Sequence, residues 1–298
     1  MKPKILRNIL LSLGAIFGLA TTAHAQNLYV SAVQPGEILE YTPSGVQSTF
    51  ATGLSAPRGL AFDNIGNLFA AETVFPDHIE IGKVLKFNLR NKVSTVGSVI
   101  NSFFEGLAID SAGNAYGLAR NDLSDPFMST IYKFTPSGER IVFGSFLGSS
   151  WGLAFDSAGN LYAAEDSTQL GGGARIYKFA LDGSRTIFAD SDAFPEGVTP
   201  IGLTFDSSGN LFVSTDCFCD PGSDTILKFT PTGVESTFAT GLTNPRGLAF
   251  DSSGNLFVAE SNDFPDGDIL KFPPGGGSPT VFASSLNRPQ FLTFGPPR

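Results

Sequence analysis

Five copies of one short string recur along this chain: Gly59-Leu-Ala-Phe-Asp63, Gly106-Leu-Ala-Ile-Asp110, Gly152-Leu-Ala-Phe-Asp156, Gly202-Leu-Thr-Phe-Asp206 and Gly247-Leu-Ala-Phe-Asp251. Successive Asp residues stand 47, 46, 50 and 45 positions apart. A fixed period in this range belongs to repeat architectures, in which one supersecondary unit buries its faces only against its neighbours. Thr42 to Asp63 matches Thr230 to Asp251 at all but four positions, 188 residues away. That distance is four periods.

Each repeat divides into four short alternating runs. In the fifth copy these are Gly247 to Phe250 (A), Leu256 to Ala259 (B), Ile269 to Phe272 (C) and Thr280 to Ala283 (D). Asp-x-x-Gly-Asn joins A to B in all five copies, with glycine at 66, 113, 159, 209 and 254. A turn that ends in a left-handed residue needs that glycine, and the Asp can accept local backbone hydrogen bonds. Pro-x-Gly joins C to D at Pro43, Pro136 and Pro231. No stretch after residue 25 has helical periodicity.

The two ends complete the count. Asn27 to Val30, Ile38 to Tyr41 and Ser48 to Ala51 match B, C and D with no A before them. Gln290 to Phe294 matches A with nothing after it. The expected fold is therefore all-β: a six-bladed β-propeller of four-stranded antiparallel blades over residues 26–298. Its ring closes when the C-terminal strand A pairs with the N-terminal strands B, C and D, which removes open sheet edges. The recurring Phe and Tyr at equivalent positions are expected as inter-blade core.

Residues 1–25 read as a cleavable secretory signal. A basic start is followed by a 12-residue apolar run, Ile9 to Ala20, and by Ala23-His24-Ala25. The run is shorter than the ~20 residues that span a bilayer. The expected product is a periplasmic or extracellular monomer without membrane insertion. Loss of Lys2, Lys4 and Arg7 with the leader moves the formal charge from −9 to about −12. So acidic a chain repels phosphate backbones, which argues against nucleic-acid partners. A small neutral or cationic ligand, or another protein, remains.

The unit Pro245-Arg-Gly-Leu-Ala-Phe-Asp-Ser-Ser-Gly-Asn-Leu-Phe-Val-Ala-Glu260, with Ile269-Leu-Lys-Phe272 after it, resembles the NHL repeat. It is also similar to the wider six-bladed group that holds gluconolactonase-type lactonases and streptogramin lyases. The resemblance implies the propeller; it implies function weakly, because this fold carries enzymes and inert platforms alike.

The B–C and D–A connections are the longer ones and share a face, so a site is expected there. At the end of strand B, Glu72, Glu165 and Glu260 fall on alternate blades. Just before the strand-A glycine stand Arg58, Glu105, Trp151, Ile201 and Arg246, with Gln290 closing the ring. Antiparallel neighbours suggest ion pairs Arg58–Glu72 and Arg246–Glu260. Glu165 faces Trp151 instead, and an indole beside a carboxylate suits a sugar or an organic cation. The candidate ligand-binding set is thus Trp151, Glu165, Glu72, Glu260, Arg58, Arg246 and Glu105.

Other motifs say less. His78 is the single histidine after the leader, which excludes a multi-His zinc site. The resemblance to lactonases implies a divalent cation, calcium or another, held by Glu, Asn and Asp. Glu165 is a candidate for that Glu, without matching Asn and Asp. Cys217 and Cys219 are expected to form a tight local disulfide, with free thiols, metal binding or an intermolecular bridge left open. The strand-C lysines (Lys86, Lys133, Lys178, Lys228, Lys271) are expected on the solvated outer side of each blade. Two functions follow: an exported non-enzymatic binding platform, or a divalent-cation-dependent lactonase-like hydrolase.

Overall fold

The computed structural model describes residues 26–121, 128–166, 173–195, 197–217, 222–262 and 267–297. Residues 1–25, read above as a secretory signal, lie outside them. Among the described residues, twenty-four strands form six four-stranded antiparallel sheets. The first blade has the order β24-β1-β2-β3, where β24 is Pro289–Phe294, β1 Leu28–Ala32, β2 Glu37–Tyr41 and β3 Gln47–Ala51. Leu28 lies opposite Phe294, Tyr29 opposite Thr293 and Val30 opposite Leu292. The ring closes through the C-terminal strand as the repeat count requires.

The innermost strands of the other blades are β4 (Leu60–Phe62), β8 (Ser102–Ile109), β12 (Ser149–Phe155), β16 (Thr199–Phe205) and β20 (Pro245–Phe250). They touch one another in ring order, and β24 touches both β20 and β4. The repeated glycine explains how they come so close. A Cβ on Gly106 would sit 2.5 Å from the Trp151 carbonyl oxygen, and one on Gly202 would sit 2.1 Å from that of Arg246. The Gly59 N–H donates to the Glu105 carbonyl across the blade boundary at 2.9 Å. These glycines are conserved in spacing because only hydrogen fits between adjacent inner strands.

The repeated Asp also has a structural reason. In the first full turn, Asp63 Oδ1 accepts the backbone N–H of Ile65 and of Asn67, and its Oδ2 accepts the Asn67 side-chain amide. The same three bonds recur at Asp110, Asp156, Asp206 and Asp251. Gly66, at φ +91°, supplies the left-handed step. Each turn is fully satisfied within itself, so these Asp residues are turn anchors.

The core is a set of clusters wedged between blades, each joining residues of two neighbours. In five wedges a strand-B ring meets a strand-D ring of its own blade and the strand-A ring of the next. Tyr162 with Phe188 and Phe205 is one example, at 5.1 and 5.0 Å between centroids and edge-to-face. Phe257 with Phe282 and Phe294 is another, and it carries the ring closure. Each such pair adds about 0.5–1.5 kcal/mol beyond area burial.

The strand-C lysines differ from expectation. Their ammonium groups lie over the strand-B rings, Lys86 over Phe69, Lys133 over Tyr116, Lys178 over Tyr162, Lys228 over Phe212 and Lys271 over Phe257, at 5.1 to 5.4 Å. The ring directly opposite in the ladder draws the long stem across it, because an aromatic face attracts a cation. They remain a feature of the repeat.

Candidate functional site

The residue before each strand-A glycine points to the axis shared by all six blades. Arg58, Trp151, Arg246 and Gln290 come from four different blades, yet they line one cavity of about 150 Å³. Val33, Asn244, Ser261 and Arg288, from the loop ends, complete its wall. The cavity therefore lies at the channel mouth on the loop-bearing face. Two larger clefts are built from turn residues and the recurring aromatics, and a third, of about 300 Å³, is lined by inner-strand residues of all six blades, mostly apolar.

The ion pairs here are not those that strand pairing suggested. Arg58 binds Glu105 of the next blade at 2.9 Å, with Arg120 on the same carboxylate at 4.0 Å. Arg246 binds Asp216 at 3.1 Å and stacks over the Trp151 ring at 5.0 Å. Arg58 also donates to Gln290 Oε1 at 3.3 Å. Glu72 and Glu260 turn the other way. Glu72 accepts the backbone N–H of Ser55, and Glu260 that of Thr243, at 3.1 and 2.7 Å. The reason is geometric: Arg246 stands on an innermost strand and Arg58 just before one, and both line the axial cavity. The two glutamates stand one strand out, beside the D–A corner, whose amides need an acceptor.

Glu165 belongs with those corners and not with Trp151. A Cβ on Gly148, at the corresponding corner, would lie 2.8 Å from Glu165 Oε1. Its cation is Arg175 at 3.9 Å, and its Oε2 has no hydrogen-bond partner among the described residues. Glu72 and Glu260 thus share a role at strand ends, Glu165 is held by Arg175 and Tyr177, and the cavity wall holds Trp151 without Glu165.

Burial decides the protonation of these acids. Glu105 is 1% exposed, and burial pushes its carboxyl above the usual range, an effect that Arg58 and Arg120 offset only in part. Burial pushes Glu165 up to about 7 against the opposing pull of Arg175 and a hydrogen bond from Tyr177. For Glu165 the folded state keeps its proton longer than the unfolded chain, whose carboxyl titrates near 4.5. Stability from this site is complete below about pH 4.5 and falls as pH rises through about 7. Glu165→Gln is therefore expected to melt with the parent at pH 4 and above it at pH 8. Thermal melts at the two pH values check this; a lower melting temperature for Glu165→Gln at pH 8 would reverse it.

The carboxylates do not fit a calcium-type cage. Glu105 and Asp216 hold guanidinium groups, Glu72 and Glu260 hold amides, and Asp224 accepts the N–H groups of Cys217 and Asn244. Calcium takes about 6–8 oxygen ligands around one point. Among the described residues no three acidic, His or Cys side chains gather in that way. Cys217 is disulfide-bonded, and the only other cysteine of the chain, Cys219, lies outside the described residues.

Sequence reasoning missed Arg120, Asp216, Asn244, Ser261 and Arg288. Arg288 had a signal. Aligning Leu54-Ser-Ala-Pro-Arg58, Leu242-Thr-Asn-Pro-Arg246 and Leu286-Asn-Arg-Pro-Gln290 sets Arg288 where the other copies carry Ala56 and Asn244. All three are left-handed, at φ +45°, +50° and +51°. That conformation costs an arginine about 1 kcal/mol or more.

Fold and mouth together define a six-bladed propeller with a polar, arginine-rich channel entrance. No family model matches the chain, and no curated protein does. Solved structures do. A gluconolactonase from Xanthomonas campestris superposes with a TM-score of 0.60 at 16% identity, covering 79% of this chain and 84% of its own. A luciferin-regenerating enzyme gives 0.62 at 13% identity, covering 90% and 96%. A Bacteroides caccae protein of unknown function gives 0.61 at 11%, covering 91% and 98%. At such identities the likeness is one of fold. The NHL-type resemblance gains no family match.

Proposed function

We propose that this chain is a lactonase-like hydrolase working at the channel mouth, exported by way of residues 1–25. The observation that carries the reading is the placement of Arg58 and Arg246 on the wall of an axial cavity, in a fold shared with a gluconolactonase. In lactone hydrolysis a water oxygen bonds to the carbonyl carbon, and the carbonyl oxygen takes negative charge. The ring C–O bond then breaks, its oxygen takes up the proton that the attacking water gave up, and a hydroxy acid leaves. Guanidinium groups fixed by Glu105 and Asp216 are placed to stabilise that oxyanion, and fixed donors need no reorganisation. Gln290, Asn244 and Ser261 supply polar contacts to a hydroxylated ring.

A binding platform without turnover is the second reading. What favours it is the pairing of Glu105 and Asp216 with arginine, which leaves neither as a ready base. One experiment separates the two. The protein is given a panel of five- and six-membered lactones in a pH-stat, with EDTA and with added calcium, magnesium or zinc. Hydrolysis above the spontaneous rate is expected. Arg246→Gln should reduce it by about 10²-fold or more, the usual loss for an oxyanion donor. No acceleration under any of these conditions would leave the platform.

A further inference from the structure

The cavity wall carries three guanidinium groups, Arg58, Arg246 and Arg288, and no carboxylate. That is unexpected in a chain of net charge −9. Two polar atoms in the wall are also buried without a hydrogen-bond partner among the described residues: the Nε–H donor of Arg58 and the Oδ1 acceptor of Asn244. The Asn244 orientation is fixed, because its amide nitrogen donates to the Ser261 carbonyl at 2.6 Å. Turning the amide over would set two oxygens together. Buried polar groups in native proteins are almost always satisfied, so an orphaned donor and an orphaned acceptor on two residues of one cavity wall point to a ligand that reaches both as the wall side chains adjust to it.

We propose that this cavity binds a small hydroxy carboxylate, its carboxylate among Arg58, Arg246 and Arg288 and a hydroxyl donating to Asn244 Oδ1. Charge selects a monoanion over a phosphate dianion. Glu105 pairs with Arg58 and Asp216 with Arg246, so part of the wall's positive charge is already offset. Size agrees, since about 150 Å³ holds a small acid and is well below the ~300 Å³ at which drug-sized pockets begin. Trp151 forms a flat apolar side, beneath the Arg246 guanidinium. The proposal rests on the channel mouth being the working site, as the hydrolase reading does, but it does not need turnover. A hydroxy acid is what lactone hydrolysis releases, so the same contacts suit the product of that reaction.

The chain has a single tryptophan, Trp151, so indole emission reports on this cavity alone. The whole protein is titrated with glycolate, gluconate, acetate, phosphate and chloride at constant ionic strength, and with the neutral amide of glycolate. Calorimetry runs in parallel. Saturable binding of the hydroxy acids is expected, tighter than acetate and phosphate, with no response to the amide. Arg246→Gln should weaken it about tenfold or more, the usual loss of a charge-assisted bond. Arg288→Gln, at an exposed residue, makes the same test should Arg246→Gln not fold. Asn244→Ala should bring the hydroxy acids down to the level of acetate. An equal response to acid and amide, a response that follows ionic strength, phosphate as the tightest ligand, or no binding by either method would each overturn the proposal. Binding without lactone turnover would remove the hydrolase reading and leave this one; turnover without saturable hydroxy-acid binding would do the reverse.

Discussion

Gly202→Ala is expected to lower the melting temperature by about 6–12 °C or to prevent folding. The added methyl would stand 2.1 Å from the Arg246 carbonyl oxygen and 2.9 Å from Ser214 Oγ. Neither neighbour can give way. The Gly202 N–H donates to Ser214 Oγ at 2.8 Å, and that hydroxyl donates to the Arg246 carbonyl at 2.6 Å. Overpacking costs about 1–3 kcal/mol when side chains can adjust, and backbone against backbone lies at the upper end or beyond. In a domain of this size each kcal/mol moves the midpoint by about 2–4 °C. Gly295→Ala is the control, since its Cβ meets the ring edge of Tyr29 at 3.0 Å and then only ordinary contacts, Phe62 at 3.5 Å and the Asn27 carbonyl oxygen at 3.7 Å. Thermal melts of the two variants check this, and equal midpoints would mean that the inner ring is looser than these contacts require. The substitution also pushes on the backbone of Arg246, so ligand binding should weaken in whatever folds.

Removing Gln290 to Arg298 is expected to abolish cooperative unfolding and drive aggregation. Three things leave together. The backbone ladder from Leu28 to Val30 loses its partner, which leaves β1 as an open edge. Phe294 leaves the ring pair with Phe257, and the buried Leu292 leaves the wedge between the first and last blades. Ser31 loses the hydrogen bonds that join it to the Phe291 backbone. Because each wedge is shared by two blades, the damage falls on both ends of the chain. A monomeric truncated protein that melts at the parent temperature would refute closure through β24. Adding the missing segment as a peptide should restore part of the transition, because what it supplies is an antiparallel strand.

Much of this architecture was legible in the residues alone. The period of the Gly-Leu-x-x-Asp string counted the blades, and the unmatched run at each end located the closure. Asp-x-x-Gly-Asn named its turn because every bond of that turn is local, falling within four residues of the Asp. Local hydrogen bonds and a fixed period leave a direct trace in sequence.

The candidate site left a weaker one. Repeat alignment put Arg58 beside Glu72 and Arg246 beside Glu260, since it compares positions along a blade. It cannot say which way a side chain turns at the channel, where six inner strands meet. There Arg58 finds Glu105 on the next blade and Gln290 at the far end of the chain, 232 residues away. Arg246 finds Asp216 and the Trp151 ring on other blades. Of the three Glu of the loop face, Glu72 and Glu260 accept D–A corner amides and Glu165 pairs with Arg175, so none of them joins the cavity wall. The sequence by itself determined the ring, its turns and its closure, all set by periodic and local interactions. The tertiary structure alone decided the charge of the mouth, because that depends on which of many distant side chains share one small volume.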